Sequence, residues 1–198
     1  MKDFIFHKAL KAELQYLIDN PLKLGGVLGF HGSYGIGKTA FAKYIGNLLA
    51  NEVIHYDCAS KKSLILEDIE LRNRTVSLAS FCDTETNKVF ERCFILDEFH
   101  SFPDRSKASY KIPLENLVVD NRSLIIIIAN TDAKNTLIKA IDKSIASRVH
   151  AICFDIKECH YKEVIAMIKK RFPVLSDEYI LETLPDMRQI CKRAKLRS

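Results

Sequence analysis

No stretch of this chain is apolar for long enough to cross a membrane. Its longest purely apolar run, Leu124 to Ala129, falls far short of the roughly 20 residues that a spanning helix needs, and it reads instead as a buried strand. Six cysteines, Cys58, Cys82, Cys93, Cys153, Cys159 and Cys191, include no C-x-x-C pair and lie near no histidine cluster. That scatter argues against a zinc site or a disulfide framework and predicts reduced bystanders. The opening residues Met1-Lys2-Asp3-Phe4 carry no hydrophobic stretch with a small-residue cleavage site. The expectation is a cytoplasmic protein, in the host-cell cytoplasm were the source a phage or virus, with no membrane partner. Internal repeats, low-complexity tracts and Gly/Ser linkers are missing too, so any two parts of the chain are expected to share an interface.

What is present is ordinary in amount and uneven in placement. A chain of 198 residues and 22.6 kDa suits one medium domain, alone or with a small appendage. Hydrophobic residues at 47% and charged residues at 28% are globular values and argue against disorder. The net charge is +5. Arg188, Lys192, Arg193, Lys195 and Arg197 carry five positive charges with no acid from Arg188 to the end, so the rest of the chain sums to zero. Such a tail suits nucleic acid phosphates, and equally a helix whose cations face its own C-terminal dipole.

Short apolar segments alternate with longer ones of helical spacing, the pattern of a parallel sheet with helices on both faces. Strands are expected at Val27–His31, Val53–Asp57, Cys93–Asp97, Leu124–Ala129 and Ala151–Phe154. Between the first two, Phe41, Ile45, Leu48 and Leu49 recur at three- and four-residue spacing and predict a helix packed on the sheet. After Phe154 strand signals stop. Val164, Ile165 and Ile168, then Ile180, Leu181 and Leu184, then Ile190 suggest three short helices. The chain thus divides into an α/β nucleotide-binding core, residues 1–155, and a small helical lid, residues 156–198.

Gly32-Ser33-Tyr34-Gly35-Ile36-Gly37-Lys38-Thr39 fits G-x-x-x-x-G-K-[ST], following an expected strand and opening an expected helix. Glycines let backbone N–H groups turn inward around phosphate oxygens, and the helix aims its positive end at them. Lys38 is placed to bridge the outer phosphates and Thr39 to offer its hydroxyl to magnesium, so the expected ligands are ATP and Mg2+. Six of the seven glycines lie between Gly25 and Gly37, where a ligand must approach backbone. A second apolar strand ends in Asp97-Glu98, and ligands in such sheets sit beyond the carboxyl ends of strands. Asp97 is expected to hold magnesium through its water shell and Glu98 to orient and deprotonate the attacking water. A third strand ends at Asn130, which can hydrogen-bond both the γ-phosphate and that water, or cap a turn.

The order of Gly32 to Thr39, Phe94 to Glu98, Asn130 and Ser147-Arg148-Val149 resembles the AAA+ proteins, and within them clamp-loader subunits such as replication factor C small subunits and phage sliding-clamp loaders. Tyr56-Asp57-Cys58-Ala59-Ser60 is similar to the segment after their second strand, Ile145 to Val149 to their Ser-Arg-Cys motif, and Pro185-Asp186-Met187-Arg188-Gln189 to their Gly-Asp-Met-Arg lid motif. Glu115 falls where their helix before the sensor strand has a glutamate. The resemblance implies that Arg148 is an arginine finger acting on the γ-phosphate held by a neighbouring subunit. It also implies that Arg188 on the lid contacts its own subunit's nucleotide, and that Phe4, Ile5 and Phe6 pack on adenine. A homo- or hetero-oligomeric ring acting on DNA and replication proteins, a sliding clamp or a helicase, is then expected. Arg105, Lys107 and Lys111, with the basic tail, are the expected DNA contacts.

Two departures stand out: His100 follows Asp97-Glu98-Phe99, where the family often has a small or acidic residue, and Val149 replaces a cysteine. The sequence also ends soon after Arg188, where clamp loaders continue into a collar, so a ring of this chain is expected to need another source of cohesion. The same strand-end residues suit a superfamily 3-like replicative helicase or a helicase-loader ATPase. They suit less well a subunit that binds ATP only as structural glue.

Overall fold

The computed structural model describes residues 4–24, 27–60, 65–75, 88–119, 122–132 and 136–196. The proposed roles of Cys82 and Arg197 lie outside them. Five parallel strands form one sheet in the order β2-β3-β4-β1-β5, with β1 at Val27–Gly32, β2 at Ala50–Asp57, β3 at Phe90–Asp97, β4 at Ser123–Asn130 and β5 at His150–Phe154. The five expected strands are all present, and β2 and β3 start three residues earlier than their apolar runs. Polar and half-buried residues such as Asn51, Glu52 and Glu91 hide those starts.

Alternation along each strand feeds two cores. Leu28, Phe30, Cys93, Ile95, Ile126, Ile128, Ile152 and Phe154 point to one face, and Val27, Phe94, Leu96, Ile125, Ile127 and Ala129 to the other. The first face is covered by helix α1, Lys8–Asp19, and helix α2, Lys38–Leu49, through Leu10, Leu14, Leu17, Phe41, Ala42 and Ile45. Burying each large side chain of this kind contributes about 1.5–3 kcal/mol. Leu48 is 43% exposed, whereas Ala42 and Gly46 face the sheet, so the buried stripe of α2 is rotated from the one its large residues suggest. Gly46 is held there by close approach: a Cβ on it would stand 3.0 Å from Cys93 Sγ. Helix α1 has no counterpart in the sequence reading. Its start is capped by the His7 imidazole, which accepts from the Leu10 N–H at 3.3 Å.

The second face carries helices α3, Ile65–Arg74, α4, Asp104–Ser109, α5, Lys111–Val119, α6, Leu137–Ile141, and α7, Lys143–Ala146. Beyond β5 come α8, Tyr161–Arg171, α9, Asp177–Thr183, and α10, Met187–Lys195. They bury Val164, Ile168, Ile180, Leu184, Ile190 and Ala194 in the same cluster as Phe41 and Phe154, so the lid helices share the core of the first face. Leu181, read as part of that stripe, is 45% exposed. No helix among the described residues is long and apolar enough to cross a membrane.

Candidate nucleotide site

β1 lies between β4 and β5, so the chain leaving β1 must cross over β4 and β3 to reach β2. That reversal opens a crevice at the carboxyl end of the sheet, where such folds bind ligands. The loop from Gly32 to Gly37 occupies it, and α2 begins at Lys38. At two glycines there both the backbone angle and the space exclude a side chain. Gly32 has φ +132° and a Cβ on it would meet the Phe154 carbonyl oxygen at 1.8 Å; Gly35 has φ +73° and a Cβ would meet the Asp186 carboxylate at 2.2 Å. The second contact ties the loop to the lid, because Asp186 caps α10 and the Arg188 N–H donates to the Gly35 carbonyl at 3.1 Å.

Lys38 is only 5% exposed. Its ammonium donates to the carbonyls of Gly32 at 3.0 Å and Ser33 at 2.6 Å and to Asn130 Oδ1 at 2.9 Å. Burial outweighs the raising pull of Glu98 and Asp97 and brings its pKa down to about 8. An ammonium so poorly solvated gains strongly from an incoming polyanion.

Thr39 Oγ1 donates to Asp97 Oδ2 at 2.9 Å, and His55 Nε2 lies 3.2 Å from the same oxygen. This hydroxyl and carboxylate are hard oxygen donors beside the loop, which fits magnesium. Among the described residues no group of three or more His, Cys, Asp or Glu could cage an ion, so phosphate and water would have to supply the remaining ligands, as magnesium prefers.

Glu98 takes a left-handed backbone, φ 55° and ψ 36°, at the first residue beyond β3. Its carboxylate accepts from Asn130 Nδ2 at 3.2 and 3.1 Å and pairs with His100 Nε2 at 3.2 Å. The Glu98 N–H donates to Asp97 Oδ1 at 3.0 Å, so the start of α2 and the ends of β3 and β4 bring Lys38, Thr39, Asp97, Glu98 and Asn130 into one hydrogen-bonded set. They border a cavity of about 820 Å³ whose walls also include Phe4, Ile5, Phe6, Tyr34, Ile36 and Gly37. Tyr34 is 72% exposed at the loop tip and Ile36 is buried. Gly32 and Ser33 contribute through the carbonyls that hold Lys38. The lid closes the far wall with Arg171, Met187, Arg188, Cys191, Lys192 and Lys195.

Arg148 is not brought to this cavity. It follows α7 and forms an ion pair with Glu115 on α5, its guanidinium also donating to Ser147 Oγ at 3.3 Å. Lys107 has to be withdrawn from the expected DNA contacts: it is 4% exposed and donates to Asp104 at 3.1 Å. The basic tail is an amphipathic helix, with Met187, Ile190 and Ala194 buried and Arg193 over the Tyr179 ring at 5.9 Å. Sequence reasoning missed His55, His100, Arg171, Cys191, Lys192 and Lys195 at the site. Only His100 carried a signal, as the unusual residue two places after the acidic pair.

Solved structures share this fold. The RuvB Holliday junction branch migration motor of Thermotoga maritima is 16% identical, with a TM-score of 0.59 over 96% of this chain and 61% of its own. A replication initiator DnaA bound to AMPPCP and single-stranded DNA is 17% identical, with a TM-score of 0.64 over 98% and 63%. DnaA from Aquifex aeolicus, bound to AMPPCP, is 18% identical, with a TM-score of 0.61 over 98% and 62%. The fold is thus the P-loop NTPase fold of AAA+ ATPases, a five-stranded parallel sheet with flanking helices and a helical lid. This chain spans about three-fifths of the length of those chains. No family model and no curated protein matches the sequence.

Proposed function

We propose that this chain binds ATP in the cavity beside Lys38 and hydrolyses it between subunits, as an AAA+ ATPase acting on DNA. The observation that carries the reading is the convergence of Lys38, Thr39, Asp97, Glu98 and Asn130 in one hydrogen-bonded set beside a glycine loop. An opening of about 820 Å³ suits a nucleotide-sized ligand. In this reading the Lys38 ammonium leaves its carbonyl partners for the outer phosphates, and the backbone from Tyr34 to Thr39 cradles the rest. Thr39 and Asp97 would hold magnesium, which would supply neutralisation of phosphate charge when bound. Glu98 orients the attacking water and accepts its proton, and Asn130, already bonded to both Lys38 and Glu98, aligns water and γ-phosphate. Phe4, Ile5, Ile36 and Met187 form the apolar wall for the base. Arg188, whose own N–H is bonded to Gly35, senses phosphate from the lid.

The finger role of Arg148 rests on its sequence context and on its exposed place beside α7, away from its own cavity. The DNA-directed role rests on the clamp-loader motifs, on exposed Lys192 and Lys195, and on the company of RuvB and DnaA. A helicase-loader or superfamily 3-like helicase role would use the same chemistry with another partner.

The test is ATP turnover per subunit against protein concentration, with and without primed DNA, for the wild type and Arg148→Ala. Shared sites predict turnover that rises with concentration and with DNA. Arg148→Ala should lower the assembled rate by about 10³-fold at unchanged nucleotide affinity. Turnover per subunit that is constant at every concentration would exclude shared sites.

A further inference from the structure

His100 is absorbed neither by the motif nor by the proposed chemistry, yet it stands between two of the groups that chemistry needs. The Asn130 N–H donates to His100 Nδ1 at 3.2 Å. Because an amide N–H can only donate, Nδ1 has to be the accepting nitrogen and Nε2 the one that carries hydrogen. Nε2 lies 3.2 Å from Glu98 Oε2, so the imidazole presents an N–H to the carboxylate. The ring is mostly buried, at 24% side-chain exposure, in the short helical turn Phe99–Ser101, whose Phe99 is anchored in the second core.

We propose that His100 is a positioning residue for Glu98, locked in one tautomer by the end of β4 and holding the carboxylate at the angle that water activation requires. This rests on the reading of Glu98 as the water-activating group. The competitor is Lys38. Its ammonium is buried and feels both Glu98 and Asp97, and a glutamate freed from its donors would swing toward it. Such an ion pair would occupy the space meant for the outer phosphates and leave no base aimed at water. Asn130 at the end of β4 and His100 in the turn after β3 oppose that swing together, one with a side-chain amide and one through an imidazole aligned by the Asn130 backbone. A rearrangement of Asn130 on meeting a phosphate would reach Glu98 by both routes at once.

The experiment uses the full chain, at the concentration and DNA level that give maximal wild-type turnover. His100→Phe keeps a ring of similar size with no nitrogen, and His100→Asn offers an acceptor to the Asn130 N–H with no donor reaching Glu98. Both should lower kcat by roughly 10- to 100-fold, with KM and the affinity for a fluorescent ATP analogue within about two-fold of wild type. His100→Gln, whose terminal amide reaches as far as Nε2, should recover most of the rate. Thermal midpoints measured alongside identify any variant that fails to fold, and the Phe and Asn variants back each other up. Wild-type kcat in a folded His100→Phe or His100→Asn, with Glu98→Gln inactive, would overturn the role of His100 alone. Wild-type turnover in Glu98→Gln would overturn both this inference and the role of Glu98. A His100→Gln variant as slow as His100→Phe would overturn the donor argument.

Discussion

The two faces of the sheet treat their charged groups differently. On the lid face every group of the cavity set has a partner within the same chain. Lys38 is bonded to two carbonyls and Asn130, Asp97 to Thr39, and Glu98 to Asn130 and His100. The lid is sewn to the rest by the Arg188 to Gly35 bond, by Lys8 N–H donating to Glu163 at 3.0 Å, and by His7 stacked on His160 at 3.8 Å. On the opposite face Arg148 has only a half-exposed ion pair with Glu115 and local serine contacts. Exposed pairs of that kind contribute about 0.2–1 kcal/mol, too little to hold a cation against a competing phosphate. One face bonds its charged groups to one another at a cavity, the other keeps a loosely tethered cation at the surface.

The largest expected effect breaks the first half of that contrast. Lys38→Ala should weaken ATP affinity by at least about 100-fold, as measured by displacement of a fluorescent analogue, since a charge-assisted contact made out of water is removed. The protein should remain folded, because a buried cation is lost and the space vacated by its side chain admits water to the carbonyls of Gly32 and Ser33. Near wild-type affinity would remove the phosphates from this loop.

A smaller effect tests the other face. Glu115→Gln should leave nucleotide affinity of the isolated chain unchanged and release Arg148. Half-maximal turnover should then occur at protein concentrations about two- to five-fold lower, the range a surface ion pair supports. A fall in the maximal rate to that of Arg148→Ala would mean that Glu115 aims the arginine in the assembly and does not tether it.

The smallest effect concerns the seam of the lid. Burial and the neighbouring His160 hold His7 below its ordinary pKa of 6.5, while Glu163 and Asp155 act in the opposite direction. The native chain therefore keeps His7 neutral where the unfolded chain takes up a proton. Its contribution to stability is complete above pH 6.5 and is lost as pH falls from there through the depressed native value. Protonation at Nδ1 would also cost α1 its cap. His31, lowered by burial and by Lys38, adds in the same direction. His7→Asn retains a capping acceptor without the titration. Its melting temperature should fall less between pH 7 and pH 5.5, by an amount on the order of 2–4 °C for each kcal/mol spared. Identical pH profiles for the two proteins would remove His7 from the seam.

How far the sequence reached can be judged strand by strand. β4 is a continuous apolar run ending at Asn130, and β1 ends in the glycine loop, so element, direction and the residue at the rim were written in consecutive residues. β2 begins in polar residues of a half-buried strand, and its start was not legible. The stripe of α2 was misjudged because small residues, Ala42 and Gly46, pack against the sheet more closely than Leu48 can. Lys107 looked like one more surface cation until the fold buried it beside Asp104.

The sequence by itself determined that a glycine loop, two carboxylates and an asparagine would end parallel strands. Each such ending is a local pattern, and the parallel sheet puts all of them on one rim. Only the tertiary structure decided that β4 stands between β1 and β3, so that Asn130 touches Lys38 and Glu98 at once. It alone placed His100 on that same asparagine, and Arg148 against Glu115 and away from its own cavity. Those contacts join residues about 30 or more positions apart, and a hydrogen bond depends on distance in space, which no spacing along the chain encodes.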